Sequence, residues 1–215
     1  MRKTILCYGD SNTFGYVPAG WGKRYPEDVR WTGVLQNDLG QEYRVIEEGC
    51  SGRTTDIDPP GTPWKNGRAF LYTALHSHKP LDMVILMLGT NDLKHGFHRD
   101  ETMIAASVKQ LVFDVRAYMN EKNEKMPKIL ILAPAPLGPR VAEGCFGDDF
   151  NTRSYEVSLG LGNALRNVAE DTGCLFLDLA PYCTVSDADC VHLTAESHIE
   201  AGRRIAEVVR KALEN

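Results

Sequence analysis

The sequence lacks any apolar run approaching the roughly 18 residues that span a bilayer, so no membrane-crossing segment is expected. It also lacks a dense basic run. With 24 Lys and Arg against 29 Asp and Glu, the formal charge is -5. That balance disfavours a nucleic-acid partner and attraction to an anionic membrane surface. No Gly-x-Gly-x-x-Gly or Walker-type loop is present, so the usual nucleotide signatures are missing. Metal-ligand spacing is absent too. The closest groupings are His76-x-His78, His95-x-x-His98 and Cys183-x6-Cys190-x-His192, and none has the spacing of a zinc finger or of His-Glu-x-x-His. His76 and His78 stand two apart on a predicted helix and share no face. No metal or other cofactor is expected. Internal repeats, low-complexity tracts and linkers are likewise missing, which leaves one domain over 1–215.

What is there is ordinary for a globular chain: 43% hydrophobic and 25% charged residues, which excludes disorder. The six cysteines, Cys7, Cys50, Cys145, Cys174, Cys183 and Cys190, are scattered over the whole length. A chain of this size needs no disulfide staples. Met1-Arg2-Lys3-Thr4-Ile5-Leu6 opens like a secretion signal, but Gly9 and Asp10 cut the apolar stretch early. The expectation is a cytoplasmic protein with reduced thiols.

Five short apolar runs, at 4–8, 43–46, 83–88, 128–133 and 175–179, have the length and flanks of buried strands. The continuous run Met83-Val84-Ile85-Leu86-Met87-Leu88 predicts a strand covered on both faces, hence a parallel sheet. Helical spacing occupies about 31–39, 66–78, 100–121, 153–172 and 194–213. In the last, Gly202, Ile205, Ala206, Val209 and Leu213 form one stripe, which predicts packing on the sheet rather than membrane binding. Strand–helix alternation throughout predicts a doubly wound α/β fold with a five-stranded parallel sheet. Segments 18–29 and 56–65 read as structured loops. The three-proline stretch 134–151 is a candidate pocket wall or subunit contact.

In such folds the ligand sits beyond the carboxyl ends of the strands. The ends here carry Gly9-Asp10-Ser11, then Gly49-Cys50-Ser51-Gly52-Arg53-Thr54, then Gly89-Thr90-Asn91-Asp92, and finally Asp189-Cys190-Val191-His192 before the last helix. A serine hydroxyl becomes a nucleophile only beside a base, usually a histidine held by a carboxylate. Ser11, His192 and Asp189 supply those three types. Acyl transfer also needs oxyanion donors, for which the Ser11 and Gly52 N–H groups and the Asn91 amide are candidates. Taken singly, each element has a plainer reading: Ser11 as a helix cap, Gly52 as a turn glycine, Asn91-Asp92 as a cap. Their joint occurrence, each at a strand end and in chain order, points to one site.

Those residues match the blocks of a known family. The sequence resembles the SGNH/GDSL hydrolases: Gly9-Asp10-Ser11 as the first block, Gly52 as the second, Gly89-Thr90-Asn91-Asp92 as the third and Asp189-x-x-His192 as the last. Longer runs, such as Val29-Arg30-Trp31-Thr32-Gly33-Val34-Leu35 and Val45-Ile46-Glu47-Glu48-Gly49, are similar to the bacterial arylesterase/acyltransferase branch. The resemblance implies a three-layer α/β/α sandwich with the flavodoxin-like strand order 2-1-3-4-5. It implies metal-free hydrolysis of short acyl esters, acyl transfer to alcohols or peroxide, and a homo-oligomer.

Asn12 stands where this family commonly has leucine, which predicts a more polar pocket. The Gly-x-Ser-x-Gly elbow of α/β-hydrolases is absent, because Thr13 follows. Asp10, Asn12, Trp21, Phe150 and Val191 are the pocket candidates, with Phe14 and Trp64 as further aromatics near the same edge. The partner expected is a small-molecule ester. A carbohydrate acetylesterase or a thioesterase would use the same machinery. A non-catalytic flavodoxin-like binding module is the alternative of another class.

Overall fold

In the computed structural model, which describes residues 2–214, the apolar runs form five strands. These are β1 (Lys3–Gly9), β2 (Tyr43–Gly49), β3 (Met83–Met87), β4 (Lys128–Ala133) and β5 (Leu175–Asp178). All four pairings are parallel, in the order β2-β1-β3-β4-β5. β2 runs three residues past the apolar stretch that announces it. Glu47 and Glu48 continue the strand because each finds a basic partner: Arg24 and Arg30 for Glu47, His78 for Glu48.

The helices are α1 (Ser11–Phe14), α2 (Trp31–Leu39), α3 (Gly67–His78), α4 (Glu101–Glu121), α5 (Thr152–Thr172) and α6 (Ala195–Leu213). The later ones start at side-chain caps: Asn66 for α3, Asp100 for α4, Asn151 for α5 and Thr194 for α6. Alternation along each strand sends side chains to opposite faces. Leu6, Tyr8, Val84, Leu86 and Ile131 pack under α3, α4 and α5. Ile5, Cys7, Ile85, Leu130 and Leu132 pack under α2 and α6. This is the three-layer α/β/α sandwich, with β3 buried on both faces. All six cysteines are free thiols.

Every crossover leaves the carboxyl ends of β1, β2 and β3 on one rim. The strand order reverses between β1 and β3, and the site lies there.

Candidate active site

β1 stops at Gly9, and Asp10 turns the chain into α1. The Asp10 Oδ1 caps that helix by accepting the Asn12 N–H at 2.9 Å, which makes Ser11 its first residue. Two glycines let α1 press onto the sheet. A Cβ on Gly9 would stand 2.0 Å from Thr13 Oγ1, and one on Gly49 would stand 2.2 Å from the Phe14 nitrogen.

Ser11, Asp189 and His192 come together. His192 Nε2 lies 3.0 Å from Ser11 Oγ, and its Nδ1 lies 2.7 Å from Asp189 Oδ2. The ionised carboxylate fixes the ring proton on Nδ1, leaving Nε2 free to accept from the serine. Asp189 also holds its own loop. Its Oδ1 accepts the Val191 and His192 N–H groups at 3.0 Å each, and its Oδ2 accepts the Ala19 N–H at 3.0 Å. Burial pushes this carboxyl up, but the His192 hydrogen bonds and charge outweigh burial and hold it below the ordinary carboxylate value. The imidazole is packed as well as bonded. Tyr16 stacks on it at 4.3 Å between centroids, and Phe146 meets it edge-on at 5.6 Å.

The oxyanion candidates Ser11, Gly52 and Asn91 line the same cavity. Gly52 adopts φ +83°, a left-handed turn that a side chain would strain, and its N–H donates to no protein acceptor among the described residues. Asn91 Nδ2 donates to the Arg53 carbonyl at 3.1 Å, which orients the amide and leaves its second N–H for another acceptor. Arg53 Nη1 donates in turn to the Gly9 carbonyl at 2.9 Å, and its guanidinium stacks over Tyr8 at 4.1 Å. The Asp92 carboxylate accepts the Thr55 N–H at 3.0 Å, locking the Gly52 loop to the Asn91 turn.

The model of the GDSL-like Lipase/Acylhydrolase family matches residues 7–198. The chain belongs to this family. Among solved structures it is similar to the M. smegmatis aryl esterase, at 37% identity and a TM-score of 0.92, over 98% of this chain and 100% of that one. It is similar to a carbohydrate acetylesterase from Sinorhizobium meliloti, at 37% identity and a TM-score of 0.89, over 99% of this chain and 100% of that one. A lipolytic protein of the G-D-S-L family from Desulfitobacterium hafniense shares the fold at 18% identity and a TM-score of 0.65, over 96% of this chain and 99% of that one. No curated protein gives a significant match. The family and these structures make the chain an SGNH/GDSL esterase, a carboxylic ester hydrolase. Among its described residues, no helix is long and apolar enough to cross a membrane.

In this GDSL esterase, Ser11, Gly52, Asn91 and His192 line a cavity of about 180 Å³. Phe150 and Val191 line it too, as the sequence suggests. Three of the pocket candidates stand elsewhere. Trp21 is 79% exposed and outside the cavity. Asp10 is buried as the α1 cap, and burial pushes its carboxyl up to about 6 against the Asn12 N–H. Asn12 faces the chain instead of the cavity: its Oδ1 accepts the Leu193 N–H at 3.0 Å and its Nδ2 donates to the Val191 carbonyl at 3.3 Å. It therefore clamps the His192 segment to the serine helix, and the more polar pocket expected from it does not follow. Of the further aromatics, Trp64 is 54% exposed and Phe14 lies beneath the Arg24 guanidinium, 4.6 Å from its ring centroid. Neither lines the cavity.

Residues that the sequence did not single out complete the walls: Tyr16, Lys65, Lys94, Phe146 and Asp149. All lie in loops or a short turn, where no periodicity marks the facing side. The one available signal was the 134–151 stretch, which supplies Phe146, Asp149 and Phe150. A second cavity of about 340 Å³ adjoins the first through Gly52, Lys65, Lys94 and Asp149.

Proposed function

We propose that this esterase cleaves short-chain acyl esters through an acyl-enzyme on Ser11, with His192 as base and acid and Asp189 as its orienting carboxylate. The observation that carries the reading is the Ser11 Oγ to His192 Nε2 distance of 3.0 Å, with Asp189 at 2.7 Å behind the ring. Ser11 Oγ attacks the ester carbonyl while its proton passes to His192 Nε2. Negative charge gathers on the former carbonyl oxygen, where the Ser11 and Gly52 N–H groups and the Asn91 amide receive it. The intermediate collapses, the C–O bond to the alcohol breaks, and the alkoxide leaves with the proton from His192. Water then gives a proton to His192 and its oxygen attacks the acyl carbon, and Ser11 departs reprotonated. An alcohol or hydrogen peroxide in place of water yields acyl transfer.

An inner cavity of about 180 Å³ supports a short acyl group. The adjoining cavity, walled by Thr54, Thr62 and Asp148 as well as Lys65, supports a polar alcohol portion and favours the carbohydrate-ester reading over the thioester one. Homo-oligomer assembly and a cytoplasmic location belong to the same reading. The free thiols and the exposed Trp21 and Trp64 fit them, and a light-scattering mass of one chain would remove the first.

The test is release of p-nitrophenol from acetate, butyrate and octanoate esters by wild type and Ser11→Ala. The wild type is expected to favour acetate and the variant to lose nearly all turnover. Full activity in the variant would remove Ser11 from the mechanism.

A further inference from the structure

The second cavity contains a cation that the mechanism above does not use. Lys65 lies at the junction of the two cavities and lines both. Its backbone is fixed: the carbonyl accepts the Thr54 N–H at 3.0 Å, and its N–H donates to the Thr62 carbonyl at 3.0 Å. The half-buried side chain lies across Gly52, so that a Cβ built on that glycine would stand 3.0 Å from Lys65 Nζ. The ammonium forms no ion pair and no hydrogen bond among the described residues.

Of the other charged groups lining this cavity, Lys94 and Asp149 are committed to each other and Asp148 is exposed to solvent. Lys94 Nζ pairs with Asp149 Oδ2 at 2.8 Å. Asp148 is exposed, so its carboxylate keeps its water; only its backbone carbonyl bonds, to His95 Nε2 at 3.0 Å. The charge left unmatched beside Gly52 is therefore that of Lys65. An ammonium without a protein partner, held at the cavity junction, offers an anionic ligand a charge-assisted hydrogen bond.

We propose that the adjoining cavity takes the alcohol portion of the ester, and that it selects alcohols bearing a carboxylate, with Lys65 as the counter-ion. This rests on the Ser11 reading above, in which the short acyl group fills the inner cavity and the alcohol extends past Gly52. The chain's net charge of -5 repels such a substrate at long range, so the preference arises by contact at Lys65.

The reaction that tests it converts 3-carboxyphenyl acetate and water to acetate and 3-hydroxybenzoate. Its neutral match is the methyl ester of the same carboxylate, and each rate is divided by the rate of hydroxide-catalysed hydrolysis. Wild type is expected to show a higher normalised kcat/KM on the anionic ester. Lys65→Met should lower the anionic-to-neutral ratio roughly 2- to 5-fold, the scale of one partly exposed ion pair, and Lys65→Arg should restore most of it. Inhibition by 3-hydroxybenzoate should weaken in Lys65→Met to a similar degree. If Lys65→Met slows both esters equally, the lysine acts on the oxyanion or the loop, and the proposal fails while the Ser11 reading stands. A wild type that favours the neutral ester overturns the proposal without any variant. Loss of both activities in Ser11→Ala belongs to the earlier reading alone.

Discussion

Asn91 has one amide N–H spent on the Arg53 carbonyl and one left over, which is the arrangement expected of a donor kept waiting for charge to appear. Replacing it with alanine removes that donor without touching the serine–histidine contact. Asn91→Ala is expected to lower kcat by ~100- to 1000-fold with KM little changed. A raised KM at unchanged kcat would place the amide in ground-state binding instead. At this scale the sequence was informative where chemistry demands a residue type. Serine, histidine, aspartate, asparagine and glycine stood at strand ends in the right order. It was uninformative about the walls. Nothing local told Phe150, which faces the cavity, from Trp21, which faces solvent. Asn12 misled for a related reason: its neighbour is the serine, but its amide bonds to residues almost the whole chain away.

Element boundaries were legible wherever burial sets a period. β4 and α2 match the sequence reading to the residue, and β1, β3, β5, α3, α4, α5 and α6 match to within one. β2 was cut short because its last residues are polar and are held by basic side chains from elsewhere in the chain. α1 was invisible: four residues carry no helical period, and the helix exists because Asp10 caps it against the sheet. This short element carries the serine, so its seat is the mechanical weak point of the site. Gly49→Ala would put a methyl group 2.2 Å from the Phe14 nitrogen and 2.6 Å from its Cα, contacts that only backbone movement relieves. The expected result is a loss of about 1–3 kcal/mol in stability by urea unfolding, together with a fall in ester turnover. Unchanged turnover and midpoint would mean that α1 is free to lift.

For the whole molecule, several buried ionisable groups make stability depend on pH. Asp92 is pushed up to about 7 by burial, against the pull of the Thr55 hydrogen bonds and Arg99. An unfolded aspartate titrates near ~3.9, so between those values the folded chain keeps a proton that the unfolded chain has released. The stability tied to this group is full below about pH 4 and is lost as pH rises through about 7. Asp10, at about 6, acts in the same direction. His198 opposes both. Burial, and secondarily the His192 charge, push it down to about 3, so its contribution grows as pH rises from there to about 6.5, the value of an unfolded histidine. Asp92→Asn removes one contribution while keeping an acceptor for the Thr55 N–H. Relative to wild type, its urea midpoint is expected to rise between pH 5 and pH 8, and a constant gap would contradict the assignment. The central claim is that all these supports serve a single nucleophile. Its most direct measurement is the site of covalent labelling by a fluorophosphonate, read by intact and peptide mass. The account predicts one adduct per chain, on the peptide carrying Ser11, and none in Ser11→Ala. A stoichiometric adduct on another residue, or full activity after labelling of Ser11, would contradict it.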